Sequence, residues 1–301
     1  MESWDNSDDA PSRAARRPAG WIAPGPRPAG SQGDLSLAPS EDEERSLLSG
    51  EFQILQRRQG HRWSMDDLVT AWVAQDTVRA RWPDALELQN KGSLRFLDMG
   101  CGIGSVLLMQ AWSMPRSRGV GIEAQAVSAA MAQRSVRFNG VQDRVSVLHG
   151  DLRDPAIVQG DRFEIVTGTP PYFRAGEGVE SPVTQRGPCR FEHRGGVEDY
   201  ALAAKGRVAE GGRLVLCAGA LERARAVAGF AQADWHIERW VEVIGRRDKS
   251  PLIDVYVLRE PAGAGLGHRA PSEMLVVRER DGQWSEGFAR VRAQMGLPPK
   301  S

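Results

Sequence analysis

Past the middle of the chain stand Thr169, Pro170, Pro171, Tyr172 and Phe173, residue types that together can hold a planar amine. An sp² amino nitrogen is a poor nucleophile because its lone pair is shared with a ring or a carbonyl. Two acceptors must take its N–H bonds so that the lone pair faces an electrophile, and an aromatic face must fix its plane. Pro171 has no N–H with which to close a turn, which exposes the Pro170 carbonyl as one acceptor; Thr169 Oγ is the second and Tyr172 the platform. An ordinary Pro-Pro turn is the alternative, and the decision rests on what accompanies the motif.

Its company is a run from Leu97 to Gly104, reading L-D-M-G-C-G-I-G. Glycines at Gly100, Gly102 and Gly104 let a backbone turn tightly at the start of a helix and approach a ligand closely. A Gly-rich turn alone is weak evidence. Dinucleotide sites favour G-x-G-x-x-G, whereas here the third glycine comes one residue early and Asp98 precedes the first, a tighter form suited to a nucleoside without a pyrophosphate. About twenty residues on, Glu123 closes the next apolar run, where a carboxylate can meet two ribose hydroxyls. His149-Gly150-Asp151-Leu152 ends the one after. Asp151 can accept from an adenine amine or cap a helix over "DPAIVQG", and both roles can coexist.

The elements that position these residues alternate. "SLRFLDMG", "SRGVGIE", "RVSVLHGD", "RFEIVTGTPPY" and "RLVLCAG" read as strands, while "SVLLMQAW", "AQAVSAAMAQRSVRFNG", "VEDYALAAKGRVAEGG" and "ALERARAVAGFA" have helical spacing. Such alternation predicts a doubly wound, mostly parallel α/β sheet. "WHIERWVEVI" and "LIDVYVLRE" read as a closing strand pair, and the remainder as a linker from Pro261 to Pro271, a short strand, a D-G turn and a last helix packed on the core. Ahead of the alternation, the acidic "SEDEERSLL" suits a helix N-terminus and "SMDDLVTAWVAQDTVRARW" is a helix stopped by Pro83. The division is a disordered Pro/Gly/Arg-rich arm over 1–40, a helical lead-in over 41–92, the α/β core over 93–260 and a C-terminal piece over 261–301.

Bulk properties narrow the classes. A chain of 301 residues has room for one large domain with tails. No apolar run approaches the ~20 residues of a membrane helix, and Glu2, Asp5, Asp8 and Asp9 fit neither a secretory nor a transit leader, so a cytoplasmic protein is expected. Cys101, Cys189 and Cys217 lie far apart with no paired histidines, which predicts reduced thiols and no metal. Lys plus Arg equals Asp plus Glu at 39 each, so a nucleic-acid site must come from a local patch. Candidates are Arg13, Arg16, Arg17 and Arg27 of the arm, or Arg174, Arg186, Arg190 and Arg194 after the Pro-Pro motif, where Glu177, Glu180 and Glu192 dilute the charge.

On these motifs the chain resembles class I S-adenosylmethionine-dependent methyltransferases with an N-P-P-Y type motif. From about Gly50 to Gly296 it resembles the bacterial enzymes that methylate N6 of the adenine beside the anticodon of valine tRNA. "GHRWSMDDLVTAWVA", "CRFEHRGGVEDYALAAKGRVAEGGRLVL" and "MLVVRERDGQWSEGF" carry that likeness. It implies a Rossmann-like, seven-stranded sheet with an antiparallel closing strand, S-adenosylmethionine as cofactor and tRNA-like RNA as substrate. Arg62, Ser64 and Asp66 would close over the methionine end of the cofactor, with Asp98, Gly100, Gly102, Gly104, Glu123, Asp151 and Leu152 around the rest. Thr169, Pro170, Pro171 and Tyr172 would do the chemistry, and Phe173, Arg190 and His193 would place the substrate. Thr169 stands where the family has Asn, and Arg190-Phe191-Glu192-His193-Arg194 departs from the family's Arg-His-Glu order. Two other readings compete: methylation of a protein glutamine amide, whose nitrogen is equally planar, and a cofactor-binding adaptor that has lost its chemistry.

Overall fold

The computed structural model describes residues 11, 18, 20–82, 94–172, 192, 195–261 and 272–299. Eight strands form one sheet: β3 (Arg95–Met99), β4 (Arg118–Glu123), β5 (Val145–His149), β6 (Phe163–Gly168), β7 (Val208–Gly219), β8 (His236–Ile244), β9 (Ile253–Arg259) and β10 (Ser272–Val276). The spatial order is β10-β8-β9-β7-β6-β3-β4-β5. β9 runs antiparallel to both neighbours and every other pairing is parallel. The sheet thus has one strand more than seven, because β10 joins β8 along the far edge. The chain winds outward from β3 to β5 and returns to β6 beside β3. That reversal opens a crevice at the carboxyl ends of β3 and β6, where open α/β sheets bind ligands.

Successive strand residues face opposite layers. Phe96, Ile165, Val215 and Cys217 join a core with α1 (Met65–Arg81), α2 (Ser105–Ser113), α3 (Ala126–Phe138) and α6 (Glu286–Gln294). Leu97, Val166, Leu214 and Leu216 pack on α4 (Val197–Ala204) and α5 (Arg223–Gln232). With both faces covered, the central strands β6 and β7 read as near-continuous apolar runs over residues 165–166 and 214–218, which made the sheet visible in the sequence.

Four expectations are corrected. The stretch predicted as a helix near Glu41 is instead a hairpin, β1 (Glu43–Leu47) with β2 (Gln53–Arg57), turned at Gly50 with φ +56°. Its charges face partners only the fold supplies: Glu43 takes Arg134, and the Arg45 guanidinium lies 4.4 Å over Phe138. The outer edge of β2 is closed by side chains, Asn139 Oδ1 accepting from Gln53 N–H and Ser135 Oγ from Leu55 N–H, each at 2.9 Å. Next, residues 20–40 of the expected disordered arm lie against the core. Gly30 N–H donates to the Phe138 carbonyl at 3.0 Å, Arg27 pairs with Glu51, and Gly25, Gly50 and Gly296 close around the Trp112 indole, where a Cβ would come within 2.5–2.6 Å. Glycine permits that approach where an apolar face is lacking. Third, 152–160 forms turns rather than a helix, with the Leu152 and Asp154 carbonyls taken by Arg207. The helix from Val197 also ends at Ala204, since Gly206 at φ +73° redirects the chain into β7.

Candidate active site

The loop after β3 is built from glycines that must be glycines. Gly100, Gly102 and Gly104 have φ of +63°, +57° and +92°, a region L side chains enter at a cost of about 1–2 kcal/mol. A Cβ on Gly100 would stand 2.1 Å from the Tyr200 hydroxyl, whereas one on Gly102 would meet only open space. Beneath the loop, Asp98 is buried; Oδ2 accepts from Leu107 N–H at 3.1 Å and Oδ1 from Thr167 Oγ at 2.8 Å. It therefore ties the helix α2 to strand β6. Burial pushes its carboxyl up to about 7, since the charged form loses hydration that two hydrogen bonds only partly replace.

Glu123, ending β4, turns its carboxylate across this loop: Oε2 accepts from Gly102 N–H at 2.9 Å and Oε1 from Gln125 N–H at 2.6 Å. Asp151, after β5, is held in a short turn, with Oδ1 accepting from Arg153 N–H at 2.9 Å and both oxygens facing the Arg153 guanidinium. No helix follows it, so the capping alternative does not arise here.

The opposite wall is Thr169 to Tyr172 at the end of β6. The Tyr172 hydroxyl donates to Asp66 Oδ2 at 2.8 Å and lies 3.1 Å from Cys217 Sγ. Its ring rests beside Gly219, where a Cβ would be 3.4 Å from Tyr172 Cβ. Burial, with the Asp66 charge behind it, raises the phenol well above its usual value, so it stays a donor. Asp67 is buried at the first turn of α1, where Oδ2 accepts from Ser64 N–H at 2.9 Å. Burial first and the neighbouring Asp66 second push it up to about 8. Together these walls line a cleft open to solvent, with a cavity volume of about 110 Å³.

Ten sequence-predicted residues line that cleft: Asp66, Gly100, Gly102, Glu123, Asp151, Leu152 and the four from Thr169 to Tyr172. Asp98 lies beneath its floor and Gly104 starts α2. Ser64 caps α1 and bonds Asp66. Arg62 is placed elsewhere: Nη2 pairs with Glu44 of the hairpin at 2.5 Å, a partner no local pattern disclosed. Phe173, Arg190, His193 and the arginines 174, 186 and 194 lie outside the described residues. Sequence reasoning missed Asp67, His61, Gln125 and Tyr200, all on the cleft wall. Asp67 had a signal, the Ser-x-x-Asp spacing of a helix cap; Tyr200 had none, because only packing brings it under Gly100.

Paired strand-end acids and an open glycine loop fit a nucleoside with two adjacent hydroxyls, and the Asp66 carboxylate on the cleft wall fits a cation; S-adenosylmethionine has both. Residues 85–187 match the methyltransferase small domain family. A predicted O-methyltransferase of Agrobacterium tumefaciens superposes with a TM-score of 0.55 at 17% identity, covering 79% of this chain and 100% of that one. The fold is that of the class I methyltransferases. Among curated sequences this methyltransferase-fold chain is similar to the tRNA1(Val) (adenine(37)-N6)-methyltransferase of Tolumonas auensis, 25% identical over 69% of this chain and 84% of that enzyme. It is also similar to the enzyme of the same name from Porphyromonas gingivalis, 29% identical over 40% of this chain and 48% of that one. The release factor glutamine methyltransferase of Bordetella pertussis is 32% identical over 42% of this chain and 46% of its own length. The matches to the Porphyromonas and Bordetella enzymes each span about half of those proteins.

Proposed function

We propose that this protein is an S-adenosylmethionine-dependent N-methyltransferase whose acceptor is adenine N6 in RNA of the tRNA type. The observation that carries the reading is the meeting, in one cleft, of the Thr169–Tyr172 wall with the Gly100–Gly102 loop and Glu123. Glu123 and the loop amides would hold the nucleoside part of the cofactor, and Asp151 its adenine edge. The cofactor, when bound, supplies a methyl group on a sulfonium. Thr169 Oγ and the Pro170 carbonyl would accept the two N–H bonds of the acceptor amine and so aim its lone pair, which makes a general base unnecessary before transfer. Tyr172, anchored through its hydroxyl by Asp66, would fix the plane of the base by stacking, worth about 1–3 kcal/mol.

A glutamine amide presents the same planar nitrogen, and the similarity to release factor glutamine methyltransferases favours it as the second reading. One experiment separates them. The purified chain is titrated with S-adenosylmethionine by calorimetry, then given the tritiated cofactor with total RNA and with total protein. Label in RNA is the expected result; label in protein alone replaces adenine by glutamine, and cofactor binding with label in neither leaves the adaptor. Tyr172→Ala should lose about 5- to 150-fold in kcat/KM while keeping cofactor affinity within twofold. An active Tyr172→Ala enzyme would remove the platform from the mechanism. Thr169→Asn should raise adenine methylation, the longer side chain presenting a carbonyl oxygen that only accepts, where the Thr169 hydroxyl can also donate.

A further inference from the structure

Resting on the RNA reading above, we propose that the loop joining β8 to β9, residues 245–252, is a docking rim for the RNA backbone beside the cleft, with Arg246 and Lys249 as its phosphate contacts. The sheet places this loop. β8 runs parallel to β7, so Ile244 ends on the same edge as Gly219, where a Cβ would stand 3.4 Å from Tyr172 Cβ. Across that edge Gly219 pairs with Ile253 and Ile253 with Val243. At about 4.8 Å per strand the rim lies roughly 10 Å beyond β7, the reach of two or three nucleotides at about 3.4 Å of rise each.

The charge pattern selects a polyanion. The loop carries Arg246, Arg247 and Lys249 against one acid, Asp248. That acid is taken by Arg280 from the turn after β10, and Glu279 of the same turn is taken by Arg247 at 2.7 Å. Both carboxyls are held below their usual range, by the hydrogen bond from Arg280 and from Arg247 respectively. Two backbone bonds also join the turns, Arg247 N–H to the Arg278 carbonyl and Val277 N–H to the Ile244 carbonyl, each at 2.8 Å. The cross-brace holds the loop in a tight turn, with Lys249 N–H on the Arg246 carbonyl at 3.0 Å and Asp248 at φ +66°. Arg246 and Lys249 are exposed and enter no ion pair among the described residues. Cations projected from a braced turn, with the neighbouring acids occupied, can neutralise phosphates without first breaking a salt bridge.

The test uses the full chain, an unmodified tRNA(Val) transcript labelled with fluorescein, and the double variant Arg246→Ala with Lys249→Ala. Binding is followed by anisotropy from 50 to 300 mM salt, and methyl transfer to the same RNA is measured in parallel. The variant should lower the slope of log K against log salt by about 1.4–1.8, at about 0.7–0.9 per phosphate contact. It should raise KM for the RNA about tenfold, and leave kcat, cofactor affinity and unfolding midpoint unchanged. Arg246→Lys with Lys249→Arg should restore both slope and KM. A variant with the wild-type slope and KM overturns the rim while the RNA reading stands. A wild-type chain that neither binds nor methylates the transcript, with its cofactor bound, overturns both.

Discussion

The two halves of the sheet's carboxyl edge handle acids in opposite ways. At the cleft, Asp67 and Asp98 are buried and their carboxyls are pushed up to about 8 and about 7, because hydrogen bonds replace lost water without supplying a counter-charge. At the rim over β8 and β10, Asp248 and Glu279 are held low by guanidinium groups in solvent. One half thus holds its acids toward the neutral, protonated form, and the other occupies its acids with guanidinium groups so that further cations face outward. Identical residue types serve opposite ends through burial on one side and pairing on the other.

The contrast is broken most severely at the glycine loop. Gly100→Ala places a methyl against the Tyr200 hydroxyl at a left-handed φ, and should cost about 2–4 kcal/mol of stability together with cofactor binding; urea denaturation measures the first, and adding Tyr200→Phe should recover part of it. Glu123→Ala comes next. It removes a carboxylate placed for two charge-assisted bonds, at about 1.5–3 kcal/mol each, so calorimetry should find cofactor affinity down about 100-fold or more, and an unchanged Kd would sink the pocket assignment.

Smaller in size but sharper in sign is the pH response of the ligand-free protein. Asp98 keeps its proton to a higher pH folded than unfolded, so its stabilising contribution is full below about 4 and is lost as pH rises through about 7. The same direction holds for Asp67. The unfolding midpoint from pH 5 to 8 should therefore fall less steeply in Asp98→Asn than in the wild type, and equal slopes would show that Asp98 is ionised in the fold. Arg247→Ala at the rim should leave the midpoint where it was, since exposed pairs contribute little; a clear loss would mean that the rim's ion pairs hold the fold.

The glycine loop, the strand-end acids and the Thr-Pro-Pro-Tyr segment were legible in sequence because their chemistry is local: a φ only glycine adopts easily, a carboxylate at the end of an apolar run, a proline without an N–H. The doubly wound order was legible because the central strands are short, mostly apolar runs that alternate with segments of helical spacing. The hairpin at Glu43–Arg57 was not, since its acids and arginines read as a solvated helix start until Arg134, Phe138 and Asn139 are brought to them. The Arg62–Glu44 pair was not legible for the same reason, Glu44 lying across that unseen hairpin. The Tyr172–Asp66 bond joins residues 106 apart. Sequence alone determined which residues can turn, accept or stack; the tertiary structure decided which charges are buried, which are paired and which are left outward, because desolvation and Coulomb energy depend on neighbours that only the fold supplies.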